Sequence, residues 1–162
     1  MTNSNRSVLS LTTNDGLLRL DFQWQADRFV QRFFVDDAEV GKSIEGDTEE
    51  PWPCSPPLQQ LSREHINEAN VILGVGAAGR GHWSISVEID QEVTSAFKFD
   101  LACRCPEPPD FLGSQYQLAD NLTLQALTGG IQVQREAALV TAAVPLKLAD
   151  TYRWSYRISQ AN

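Results

Sequence analysis

Trp83, Ile85, Val87 and Ile89 alternate without a break with Ser84, Ser86, Glu88 and Asp90. A period of two throws apolar side chains to one face and polar ones to the other, the pattern of a strand with one buried and one wet face. The alternation returns in Leu18, Leu20, Phe22 and Trp24 against Arg19, Asp21, Gln23 and Gln25. It recurs in Phe97, Phe99, Leu101 and Cys103 against Lys98, Asp100 and Ala102, and in Tyr152, Trp154, Tyr156 and Ile158 against Arg153, Ser155 and Arg157. A helical period does not produce such runs, so the chain reads as all-β.

Turn residues link the strands. Asn14-Asp15-Gly16 supplies positive-φ residues for a hairpin between residues 8–13 and the strand that starts at Leu18. Residues 28–35 and 38–44, joined at Asp36-Asp37, extend it to a four-strand meander. A turn over residues 90–92 makes a second hairpin, and Ile131 with Val133, then residues 139–144, precede the C-terminal strand. Residues 118–127 favour strand over helix. In residues 58–69, Leu58, Leu61, His65 and Ala69 have helix-compatible spacing, with Ser55 or Ser62 as N-cap and Pro56 or Pro57 suited to the first turn, so a short helix competes there with an irregular strand.

Residues 45–57, acidic and then Pro-rich, and residues 106–113, with three prolines, read as surface loops. Eight to ten short strands in one domain of 162 residues, with at most one or two short helices, leave two architectures. These are an antiparallel β-sandwich and a closed antiparallel β-barrel. The Pro-rich connections between sequential hairpins read as crossings from sheet to sheet, which favours the sandwich. One domain spans residues 1–162, with residues 1–6 and 161–162 as expected flexible tails.

Thirteen Lys and Arg against twenty-one Asp and Glu give a net charge of -8. Such a chain repels phosphate backbones and anionic lipid, and its cations are scattered, so neither nucleic acid nor a membrane is an expected partner. The first residues carry no apolar run of secretory-signal length, and no stretch reaches a membrane span. Three cysteines, Cys54, Cys103 and Cys105, are an odd count that suits a reducing compartment. The expectation is a cytoplasmic protein, in which Asn121-Leu122-Thr123 is a chance glycosylation match.

Several motifs fall short of the chemistry they suggest. Gly74-Val75-Gly76-Ala77-Ala78-Gly79 follows an apolar run as a dinucleotide fingerprint would, but Arg80-Gly81-His82-Trp83-Ser84-Ile85 continues as a strand where a helix must hold the pyrophosphate. The alternative is a glycine-bearing bend or bulge between two strands. Gly41-Lys42-Ser43 ends like a P-loop, yet the required first glycine is Asp36. Serine-hydrolase and zinc-protease signatures are absent. Cys103-Arg104-Cys105 puts two thiols on one strand face, a weak soft-metal candidate needing a further ligand from Cys54 or His82; the plainer reading puts Cys103 on the apolar face of its strand and makes Cys105 a small residue at its end. No cofactor is indicated.

Of the two histidines, His65 reads as a surface residue. His82 would face away from Trp83, beside Ser84 and Ser86, with Arg80 to anchor an anion and Glu88 on the same row. The acidic residues Glu45, Asp47, Glu49 and Glu50 lack regular calcium spacing, and Trp52 between Pro51 and Pro53 is either a stiff contact residue or a cover for a sheet edge. The candidate ligand or partner-binding residues are therefore Trp52, Arg80, His82, Ser84 and Glu88. Because the catalytic signatures fail, the leading expectation is a non-catalytic binding or assembly module that meets a protein partner or its own copy. A carrier of a small apolar or aromatic ligand comes next, and an enzyme using His82 and Arg80 third.

Overall fold

The computed structural model describes residues 8–134, 137–142 and 144–160, and the tails expected at residues 1–6 and 161–162 lie outside them. The described residues form thirteen strands: β1 (Leu9–Thr12), β2 (Arg19–Gln25), β3 (Arg28–Val35), β4 (Ala38–Ser43), β5 (Gln60–Ile66), β6 (Ala69–Ala78), β7 (Gly81–Ile89), β8 (Ala96–Cys105), β9 (Gly113–Leu118), β10 (Leu122–Thr128), β11 (Gly130–Gln134), β12 (Ala137–Thr141) and β13 (Asp150–Gln160). They build a seven-stranded sheet in the order β1-β2-β3-β4-β9-β12-β11 and a six-stranded sheet in the order β10-β13-β8-β7-β6-β5. Every pairing between these strands is antiparallel. This is the expected β-sandwich. The barrel alternative is set aside, because each sheet keeps its own edges and the chain changes sheet through loops.

Local sequence explains the hairpins. Asp36-Asp37 and Asn67-Glu68 all take left-handed φ, the backbone of a two-residue turn whose twist matches its strands. The first hairpin differs from expectation, since only Gly16 of Asn14-Asp15-Gly16 has positive φ and Thr13 closes a longer loop with Leu18. The Pro-rich connections do cross between sheets, from β4 to β5 and from β8 to β9.

One open choice is decided and two expectations are corrected. Of the helix and the irregular strand that compete over residues 58–69, the strand forms, and these residues become β5, a turn and the start of β6. β5 is an edge strand exposed on nearly all its positions, so burial imposes no alternation on it. The strands exceed eight to ten because β5, β6 and β9 carry no clear alternation, whereas β10, β11 and β12 fall in segments already read as strands. The loop over residues 45–57 is only half at the surface. Trp52, Pro53, Ser55, Pro56 and Pro57 are buried, with Trp52 edge-on to Trp83 at 5.9 Å and Ser55 Oγ bonded to both the N–H and the carbonyl of Gln115.

The inner faces meet in a core that contains Phe22, Phe33, Phe97, Phe99 and Trp154. At its centre the Phe99 and Tyr156 rings stack at 4.8 Å, and Tyr116 packs edge-on against Tyr156. Their hydroxyls must be satisfied there, because an unpaired buried polar group costs about 1–3 kcal/mol. Tyr116 donates to Gln31 Oε1 at 2.7 Å, the two tyrosine hydroxyls lie 2.5 Å apart, and Trp154 Nε1 donates to Ser114 Oγ at 3.0 Å. A hydrogen-bonded line thus ties β13 of one sheet to β9 and β3 of the other. Burial first, and mutual proximity second, push the Tyr116 hydroxyl pKa well up, so it stays a neutral donor.

Candidate functional site

Cross-strand register orders the outer face of the six-stranded sheet into rows. Ala77, His82, Arg104 and Thr151 make one row; Val75, Ser84, Ala102 and Arg153 make the next; Leu73, Ser86, Asp100 and Ser155 follow. These residues alternate with Trp83, Ile85, Leu101, Cys103 and Trp154, which are buried in the core. Alternation therefore fixes which side chains the face can present.

Small side chains hold the middle of this face. Ala77, Ser84, Ser86 and Ala102 leave the floor low, while Gln59 and Gln60 border it at β5 and Arg104 and Arg153 stand on β8 and β13. Two adjoining depressions of about 570 and 560 Å³ result, and they share Val75 and Ser84. Together they reach from β5 to Thr128 on β10. At roughly 4.8 Å per strand spacing this is a furrow of about 24 Å. Val75, half exposed, supplies an apolar wall.

Three arginines share the face, and their partners separate them. Arg157 is buried and saturated: its Nε lies 2.6 Å from Asp90 Oδ2, its Nη1 donates to Gln125 Oε1, and its Nη2 reaches Glu92. Removing Asp90 would strand a buried charge, so this group is structural. Arg104 and Arg153 are exposed and form no ion pair or side-chain hydrogen bond among the described residues. A chain of net charge -8 thus presents two uncommitted cations beside its furrow.

The candidates from sequence fall in different places. His82 and Ser84 line the furrow, as the alternation required. Glu88 shares the face but sits opposite Lys98, six residues from His82 along β7, or about 20 Å. Arg80 lies in the β6–β7 turn, mostly exposed, with its Nη1 3.6 Å from Glu107 Oε2. It is not the anchor beside His82, because Arg104 is directly across from that histidine. Trp52 is buried against Trp83 and lies off this face, so it presents no stacking surface. His82, Arg80 and Glu88 do not converge on one pocket, which the catalytic arrangement needs.

Cys103 and Cys105 are buried in the core with their sulfurs 3.5 Å apart, on the opposite side of the sheet from His82. Burial pushes both thiols up, which disfavours the thiolates that bind metal. Among the described residues no cluster of three His, Cys, Asp or Glu joins them. The glycine fingerprint is resolved as strand β6. Gly74 and Gly76 sit in regular pairing with β7, without a bulge, and Gly79 turns the chain with φ of 52°.

Sequence reasoning missed Arg104 and Arg153 as site residues. Both occupy outward positions of alternating runs, but their approach depends on β13 inserting beside β8, a pairing between segments nearly fifty residues apart. Comparison of the chain with protein-family models, curated proteins and solved structures finds no match.

Proposed function

We propose that this chain is a non-catalytic binding module whose six-stranded face receives an extended, acidic segment of a partner protein. The observation that carries the reading is the pair of unpaired arginines, Arg104 and Arg153, on a furrow in an otherwise acidic chain. Charge complementarity of this kind steers association and sets register. The furrow's length suits about seven extended residues at roughly 3.4 Å each. Its low floor of Ser and Ala lets a backbone approach, with Gln60, Ser84 and Ser86 as hydrogen-bonding groups. A sugar ring would need an aromatic platform, but Trp83 and Trp154 point into the core.

The test is fluorescence anisotropy with labelled short peptides that differ only in their number of glutamates. Affinity should rise with glutamate count, weaken with salt, and fall about tenfold or more in an R104E/R153E double variant. Both side chains are exposed, so the variant should fold normally; R80E, off the furrow, should bind like the parent chain. Affinity that ignores glutamate count, or survives the double reversal, would refute the reading.

A further inference from the structure

A second cleft, of about 590 Å³, opens on the outer face of the seven-stranded sheet, across the molecule from the furrow. Its volume is that of a small-molecule site. Arg32 on β3 and Lys42 on β4 are direct cross-strand partners there, and Gln117 on β9 is opposite Lys42 in turn. Like charges placed directly opposite in a sheet are destabilising, and this chain has an excess of acids with which to avoid it.

Three acids lie near them and answer only in part. Asp21, the cross-strand partner of Arg32 on β2, is taken by Ser10 and Arg19. Glu45 lines the cleft with its pKa raised to about 7 by burial, and Glu39 holds the tip of Arg32. Arg32 Nη1 bonds both carboxylate oxygens of Glu39, at 3.1 and 3.0 Å, while Arg32 Nε is buried without any partner. Lys42 is exposed and forms no ion pair among the described residues. Lys42 and the Arg32 Nε–H are therefore left without a protein partner on adjacent strands. Buried donors without partners are uncommon, and this one belongs to a side chain that lines the cleft, so a small turn of the guanidinium would offer it to a ligand acceptor. Val30, Ile44 and Ala137 form an apolar wall, and the Gln25 and Gln117 amides flank it.

We propose that this cleft binds a small molecule joining one oxyanion head to an apolar body, the head held between Arg32 and Lys42 and the body against Val30 and Ile44. An oxyanion offsets the like-charge pair, takes a charge-assisted hydrogen bond from the exposed Lys42, and takes the Arg32 Nε–H once that side chain turns toward it. The ligand and the site are independent of the acidic segment proposed for the opposite face.

Benzoate and phenyl phosphate are the probes, titrated into the whole chain while the Arg32 Nε–H and the Gln25 and Gln117 side-chain amides are followed by NMR. Saturable shifts at these groups are expected, stronger for benzoate if the head is a carboxylate and for phenyl phosphate if it is a phosphate. Lys42→Glu, at an exposed position, should weaken binding about tenfold or more, whereas R104E/R153E should leave it unchanged. Absence of saturable shifts at Arg32 with either probe, equal affinity in Lys42→Glu, or loss only in R104E/R153E would overturn the proposal.

Discussion

Gly76→Ala is expected to destabilise the fold by about 4 kcal/mol, among the larger effects of a single methyl group. A β-carbon at position 76 would overlap the Pro57 carbonyl oxygen and lie 2.7 Å from its carbon and 3.2 Å from the Gln59 nitrogen. All three are backbone atoms, so no side-chain rotation relieves the clash. The obstructing segment is also pinned: Phe29 N–H donates to Leu58 at 2.7 Å, Gln59 N–H to Val75 at 2.9 Å, and the Gln59 amide bonds both the N–H and the carbonyl of Ala77 at 3.0 Å. Moving it breaks those bonds and disturbs the Gln59 border of the furrow. Gly130→Ala is the control, because its β-carbon would meet nothing closer than 3.6 Å and its φ is unexceptional. That change should fall within about 1 kcal/mol of neutral. Urea unfolding of both variants decides the matter, and similar midpoints would show that the close approach of residues 57–59 to β6 is wrong.

The second large effect concerns Glu45, whose carboxyl is buried just after β4. Ser43 Oγ donates to its Oε1 at 2.5 Å and itself accepts from the Gln31 N–H, whereas Oε2 is buried with no partner. Burial raises its pKa from 4.5 to about 7, only partly opposed by the Ser43 bond and by Arg28. A folded-state pKa above the unfolded one means that the native state binds the proton more tightly. The stability is fully present below about pH 4.5 and is lost as pH rises through about 7. At about 1.4 kcal/mol per pKa unit the loss is on the order of 3 kcal/mol by pH 8. Glu45→Gln keeps the acceptor for Ser43 and removes the titration. It should therefore be more stable than the parent chain near pH 8, with the gap closing toward pH 5. Asp27, Arg28, Tyr116 and Tyr156 are unchanged between the two proteins, so the difference isolates Glu45. Parallel stability curves across that range would show that the carboxyl is solvated.

Strands β2, β7, β8 and β13 were legible because each buries one face and wets the other, which forces period two into the residues. β5 and β9 were not. β5 is an exposed edge with no buried face to impose a pattern, and β9 follows a Pro-rich segment and carries polar inward residues, Ser114 and Tyr116, that bond across the core. Trp52 illustrates a different limit. Its burial depends on loop residues 52–57 turning inward against Trp83 and Gly81, a tertiary contact with no local signature. His82 and Ser84 could be placed on the open face by parity alone. Their neighbours Arg104 and Arg153 could not be joined to them, since strand order within a sandwich is decided by long-range pairing.

The open face of the six-stranded sheet is the heart of this account, and amide NMR of the isotope-labelled chain reads it directly. A glutamate-rich extended peptide should shift signals from Ala77, His82, Ser84, Ala102, Arg104 and Arg153 together, saturably, and leave Arg32 and Lys42 unmoved. Shifts confined to the seven-stranded sheet, or scattered over both faces without saturation, would contradict it.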